Sequence, residues 1–245
     1  MNHKRLNRET LTPKDRLVFP LDAPDWPTAR PLVECLKDQV GFFKIGLELF
    51  ISEGPGAVRE LKALINGAAG IFLDLKLHDI PATVGRAMSV VSRLQVDLVT
   101  IHVEGGTAMI EAAKAAAGQT RVLGVTVLTS LDLTEETGLS AKYTNPLNLV
   151  LLRAERAIKA GCDGLVCSGA EAAVVREAVG PRPLIITPGI RPAWSLVNGD
   201  DQKRVVTPAK AMAAGADLLV VGRPITAADD PAAAARAILD ELQGA

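Results

Sequence analysis

Asp74 and Lys76 stand two residues apart in an apolar stretch, Ile71 to Leu77, whose composition is that of a buried strand. A strand's period of two puts Phe72, Asp74 and Lys76 on one face and Leu73, Leu75 and Leu77 on the other. On an exposed edge such a pair would be an ordinary solvated ion pair. Here the neighbours are too apolar for that, and burying two charges costs several kcal/mol each unless they are paired. An arrangement that costs stability in this way points to a functional site.

Polar side chains recur where other apolar runs end. Asp22 follows Leu21, Lys44 lies just before Ile45, and Thr129 and Ser130 follow Leu128. Taken singly, each has an ordinary role as a cap, a snorkelling lysine or a loop hydrogen-bonder. Their recurrence at strand ends singles them out. The last quarter carries a different signal: Gly189 precedes Arg191 in one turn, and Gly222 precedes Arg223 in another. Glycine lets backbone N–H groups approach an anion closely, and arginine presents a planar fork to phosphate oxygens. Metal-ligating chemistry is available from His78, Asp79, His102 and Glu104. Only His102 and Glu104 are spaced to share a strand face, and a hydrogen-bonded core histidine beside a loop charge accounts for them as well. No metal is expected.

Positioning these groups requires a regular scaffold, and from Arg16 onward short apolar runs alternate with segments of helical period. Strands are expected over Arg16 to Leu21, Gly41 to Ile45, Gly70 to Leu75, Leu98 to Val103, Val122 to Leu128, Gly164 to Val166, Leu184 to Thr187 and Leu218 to Val221. A helix is expected after each: Trp26 to Lys37, Gly56 to Leu64, Pro81 to Leu94, Thr107 to Ala117, Pro146 to Ala160, Ala170 to Val179, Pro208 to Ala214 and Pro231 to Leu242. Prolines in the first turns and glycines at Gly161 and Gly215 suit helix starts and ends. The pattern predicts a single-domain (β/α)₈ barrel of the α/β class, spanning residues 16–245, with a doubly wound open sheet as the alternative. The barrel is favoured because no Gly-x-Gly-x-x-Gly fingerprint follows the first strand. In a barrel, Asp22, Lys44, Asp74, Lys76, Thr129 and Ser130 all face one mouth, and the two glycine–arginine turns follow strands seven and eight, where barrels frequently bind phosphate.

Composition excludes several other readings. A net charge of −1 gives no basic footprint, and 3% aromatic residues leave few rings to stack bases, so nucleic acid is not an expected partner. The three cysteines, Cys35, Cys162 and Cys167, form no Cys-x-x-Cys pair and read as small residues in a reducing compartment. No apolar run reaches the roughly 20 residues of a membrane span, and no signal-peptide core follows the basic first residues. A cytoplasmic protein is expected, and residues 1–15 lack apolar periodicity and read as a loose polar tail.

The run from Asp74 to Thr83 resembles the signature of the orotidine 5′-phosphate decarboxylase family. Further pieces follow in that family's order over nearly the whole chain: Leu21 with Asp22, Lys44 to Gly46, Leu128 to Ser130, Thr187 to Arg191, Asp201 to Arg204, and Val221 to Pro224. The resemblance implies loss of CO₂ from orotidine 5′-monophosphate to give uridine 5′-monophosphate, with neither metal nor organic cofactor. It further implies a charge network of Lys44, Asp74, Lys76 and Asp79, in which Lys76 protonates C6 and Asp74 lies against the departing carboxylate. Asp79 and Thr83 would come from the second subunit of a homodimer. Asp22 would hold the ribose, Thr129 and Ser130 the base, and Arg191, Gln202, Gly222 and Arg223 the phosphate. The loop from Pro192 to Asp201, with Trp194, is longer than the family leads one to expect.

That chemistry is physically coherent. Decarboxylation without an electron sink develops negative charge on carbon, which a fixed ammonium in a water-poor site can stabilise and protonate. Two alternatives share parts of the pattern. Sugar-phosphate decarboxylases and aldolases of a related barrel class have an Asp-x-Lys-x-x-Asp run and use Mg²⁺, but lack the continuation through Pro81 to Thr83 and the Gln202 loop. A non-catalytic nucleotide-phosphate binding protein could use the same fold, but would not need the intact Lys44, Asp74, Lys76 and Asp79 set.

Overall fold

Short runs dominated by Val, Ile, Leu and Phe form eight parallel strands that close on themselves in sequence order. They are β1 (Leu17–Leu21), β2 (Phe42–Ile45), β3 (Gly70–Leu77), β4 (Leu98–His102), β5 (Arg121–Val125), β6 (Gly164–Val166), β7 (Leu184–Thr187) and β8 (Leu218–Val220). Pairing of Leu17 with Leu219 and Val18 with Val220 closes the barrel. The computed structural model describes residues 6, 8–128, 146–195 and 206–244. Among these, helix α1 (Pro13–Arg16) precedes β1, and α2 (Trp26–Leu36), α3 (Leu47–Glu53), α4 (Pro55–Ile65), α5 (Pro81–Leu94), α6 (Thr107–Ala116), α7 (Pro146–Lys159), α8 (Ala172–Val179), α9 (Pro208–Ala213), α10 (Arg223–Thr226) and α11 (Pro231–Gln243) follow the strands. The closed sheet decides for the barrel over the open alternative.

Alternation along the strands sorts the core into two layers. Val18, Phe42, Phe72, Leu98, Leu123, Leu184, Ile186 and Leu218 point inward and fill the barrel. Their neighbours, among them Phe19, Phe43, Leu73, Val99, Ile101 and Ile185, point outward and pack under the helices. The interior is crowded enough to dictate Gly70, where a β-carbon would lie 2.4 Å from the Phe42 ring. Prolines in the first turn and side-chain caps from Thr12, Asp25, Thr207 and Asp230 start α1, α2, α9 and α11.

Four expectations need correction. β5 stops at Val125 rather than Leu128, and β3 runs on to Leu77 rather than stopping at Leu75. A short helix, α3, intervenes between β2 and α4; at seven residues it is too brief for periodicity to reveal. The amino-terminal segment is not a loose tail in its described part. Leu6 and Leu11 are buried against the barrel interior. Arg8 bonds the buried Asp217 carboxylate, which also takes Arg176 at 2.6 Å and the Ile185 N–H at 2.9 Å. Two isolated leucines five residues apart carry no periodic signal, so only the tertiary packing identifies this segment as a cover for the amino-terminal end of the barrel.

Candidate active site

The charged residues meet at the carboxyl-terminal ends of β1, β2 and β3. β2 and β3 pair with Lys44 opposite Phe72 and Ile45 opposite Leu73, so Lys44 lies just below the level of Asp74 on the neighbouring strand. Its ammonium is 3.4 Å from Asp74 Oδ2 and 3.6 Å from Asp22 Oδ1. Lys76 Nζ donates to both Asp74 oxygens, at 2.9 and 3.0 Å. One carboxylate is thus held between two ammonium groups. Burial, the largest influence, pushes the Asp74 carboxyl up. The charges of Lys44 and Lys76, with hydrogen bonds from Lys76 and Thr100, outweigh it and hold the group below its ordinary value.

β3 does not reach this geometry as a regular strand. Leu73 pairs with Val99 and Leu77 with Ile101, so the three residues Asp74 to Lys76 lie opposite Thr100 alone. Lys76 takes the left-handed conformation, φ 50°, which costs a non-glycine residue about 1–3 kcal/mol. The period of two correctly puts Asp74 and Lys76 on a common side, but the local bulge brings their side chains into direct contact. Thr100 is the residue that sequence reasoning missed. Its hydroxyl donates to Asp74 Oδ1 at 2.8 Å and accepts the Lys76 N–H at 2.9 Å. Threonine is an ordinary strand former, so nothing in its type marked it. The available signal was position: Thr100 is inward-facing, two residues beyond the interior Leu98.

A cavity of about 160 Å³ opens over this cluster. Lys44, Asp74 and Lys76 form its charged wall, while Val125, Leu128, Val166, Ile186 and Val220 contribute an apolar one. Two ammoniums against one buried carboxylate, with the second carboxylate, Asp22, largely exposed to solvent, keep positive charge in poor solvent, which suits an anionic reactant and a proton donor. Nearby, the rings of His78 and His102 lie 5.4 Å apart. Glu104 pairs with Arg153 at 3.1 Å, and Arg153 also donates to the Thr126 carbonyl at 2.8 Å. Burial first, then electrostatic interaction with His78 and Lys76, pushes the His102 imidazole below its usual value despite the opposing pull of Glu104.

The remaining predicted residues fall into separate groups. Asp79 is exposed in the β3–α5 turn, where its Oδ1 accepts the Ile80 N–H at 2.6 Å. Among the described residues it forms no ion pair with Lys76. Thr83 follows in the first turn of α5. Arg191 is 4% exposed beyond β7, with its backbone N–H on the Val206 carbonyl, and Gly222 caps α10, which begins with Arg223. β7 and β8 are neighbours, so both glycine–arginine turns sit on one sector of the mouth. Thr129, Ser130 and Gln202 lie outside the described residues.

Comparison with known proteins agrees with this geometry. The family model described as orotidine 5′-phosphate decarboxylase / HUMPS family matches residues 15–238. The orotidine 5′-phosphate decarboxylase of Desulfosudis oleivorans is 47% identical over 95% of both chains. That of Thermobifida fusca is 49% identical over 93% of this chain and 95% of its own. Among solved structures, orotidine 5′-phosphate decarboxylase from Lactobacillus acidophilus superposes with a TM-score of 0.79 at 34% identity, over 92% of this chain and 97% of its own. With the same barrel and matches over nearly its full length, this chain belongs to the orotidine 5′-phosphate decarboxylase / HUMPS family.

Proposed function

We propose that the chain is a carboxy-lyase that converts orotidine 5′-monophosphate to uridine 5′-monophosphate and CO₂ in de novo pyrimidine biosynthesis. The observation that carries the reading, beyond family membership, is the Asp74 carboxylate gripped by Lys44 and Lys76 at an otherwise apolar cavity. In the reaction the bond from C6 to the carboxylate breaks, its electron pair stays on C6, and CO₂ leaves. The Lys76 ammonium stabilises that charge and gives C6 a proton; the resulting amine regains a proton from solvent. Asp74 fixes the direction of both ammoniums and faces the departing carboxylate. The low-dielectric wall strengthens each of these interactions, and no cofactor or metal is assigned a step.

Substrate binding is assigned to Asp22 for the ribose, Thr129 and Ser130 for the base, and Arg191, Gln202, Gly222 and Arg223 for the phosphate. Phosphate contacts far from C6 supply binding energy that holds the reacting carboxylate in place. Asp79 and Thr83 serve the site of a second subunit in a homodimer. Supporting this, Asp79 gives its carboxylate to the Ile80 N–H and, among the described residues, forms no ion pair with its own Lys76, and the apolar side chains Ile80, Leu47 and Ile51 are 65%, 50% and 78% exposed at this end of adjacent β2 and β3. Among the described residues no helix is long and apolar enough to cross a membrane. Cys35, Cys162 and Cys167 are unpaired thiols, which suits a cytoplasmic setting.

The test is incubation of purified protein with orotidine 5′-monophosphate, following loss of substrate absorbance in the presence and absence of a chelator. Turnover unaffected by chelator is expected. Chelator-sensitive turnover would instead favour the Mg²⁺-dependent barrel class, and binding without turnover a nucleotide-phosphate sensor.

A further inference from the structure

We propose that Thr100 is a positioning residue for the decarboxylation, holding both the Lys76 backbone and the Asp74 carboxylate through one hydroxyl. The role rests on the decarboxylase reading above. Three observations converge on it. The ladder between β3 and β4 jumps from Leu73 opposite Val99 to Leu77 opposite Ile101, which leaves the Lys76 N–H without a strand partner. Thr100 Oγ1 accepts that N–H at 2.9 Å, replacing the missing ladder bond with a side-chain one. The same oxygen donates its own proton to Asp74 Oδ1 at 2.8 Å.

The arrangement leaves little freedom. Thr100 is fully buried, and its branched side chain has few rotamers on a strand. The hydroxyl accepts from one side and donates to the other, so its proton direction is fixed by the chemistry of its partners. Lys76 sits at φ 50°, a conformation that persists only where surrounding contacts over-determine it. The bond from its N–H to Thr100 supplies one such contact directly at the strained residue. Because Lys76 Nζ reaches Asp74 from that same backbone, a single oxygen sets where the proton donor starts and where its carboxylate partner points. A shift of about 1 Å in such a group costs roughly 100-fold in rate.

The decisive variant is Thr100→Val, which keeps the branched shape and removes both hydrogen bonds. Its expected kcat is about 10- to 100-fold lower, with KM for orotidine 5′-monophosphate changed less than about threefold. Thr100→Ser, which retains the hydroxyl, should recover most of that loss. A second readout does not depend on turnover. Burial raises the Asp74 carboxyl, and the Thr100 hydrogen bond is one of the interactions that lower it. Carbon-13 NMR titration of Asp74 in the free enzyme should therefore move to higher pH in the valine variant and stay near wild type in the serine variant.

Valine turnover within twofold of wild type, or equal losses in valine and serine, would overturn the proposal in favour of simple packing. An unmoved Asp74 titration in the valine variant would also overturn it. Should the valine variant fail to fold, Thr100→Cys against Thr100→Ser keeps the question open to decision, since a thiol of similar size is a much weaker hydrogen-bonding group. Equal activity of those two would remove the role. Wild-type protein inert toward orotidine 5′-monophosphate sinks the decarboxylase reading itself, whereas active wild type with an unaffected valine variant removes only Thr100.

Discussion

Lys76 combines a strained backbone, a half-buried ammonium and two bonds to one carboxylate. Few positions outside a functional site carry that combination, because each feature costs stability unless its neighbours enforce it. Truncation to Lys76→Ala removes the proton donor while leaving the scaffold: turnover should fall below detection, with circular dichroism and thermal midpoint close to wild type. Substantial activity in that variant would eliminate the mechanism. Arg223 tests the other end of the substrate. Arg223→Ala is expected to raise KM for orotidine 5′-monophosphate by about 10- to 100-fold, the scale of a lost charge-assisted pair. The unphosphorylated nucleoside should be almost indifferent to the change. Equal losses on both substrates would assign Arg223 a structural role instead.

At the scale of elements, the strands were legible because alternation and turn chemistry agree along most of the chain. β6 and β7 fall within the same residues in sequence and structure, and α5 runs from Pro81 to Leu94 in both. What stayed hidden was non-periodic. The bulge in β3 depends on the register of β4, a long-range relation that no local pattern encodes, and Thr100 gains its role only through that register. The charged cluster was legible through residue type, since Asp74 and Lys76 are conspicuous among leucines. The amino-terminal cover was not, because Leu6 and Leu11 meet the barrel interior through tertiary packing rather than through a helix face. It has a measurable consequence. Leu11→Ala should destabilise the fold by about 2–3 kcal/mol, the usual cost of emptying a buried leucine site. Activity at low temperature should be retained, since Leu11 packs at the end of the barrel opposite the charged cluster. Denaturant titration showing less than about 0.5 kcal/mol of change would mean the segment merely rests on the barrel.

For the molecule as a whole, the decisive question is whether a site is complete within one chain. Lys44, Asp74 and Lys76 assemble without a partner, yet Asp79 lies outside their contacts, with its carboxylate turned to the N–H of Ile80. Pro81 opens α5 immediately afterwards and stiffens the turn that holds the exposed Asp79, with Thr83 following in the helix's first turn. In a two-fold dimer each site would take Lys76 from one chain and Asp79 from the other. Lys76→Ala and Asp79→Ala proteins, each nearly inactive alone, should then regain activity when mixed, mildly unfolded and refolded together. Heterodimers carry both mutations in one site and neither in the other. With random pairing half of the dimers are mixed, so about a quarter of all sites are intact, and turnover should approach about a quarter of wild type. Size measurement is needed to establish that dimers have re-formed, and differently tagged chains to establish that they are mixed. Verified heterodimers without activity would place Asp79 in its own chain's site and end the shared-site reading, while the decarboxylation assigned to Lys76 would stand on its own variant.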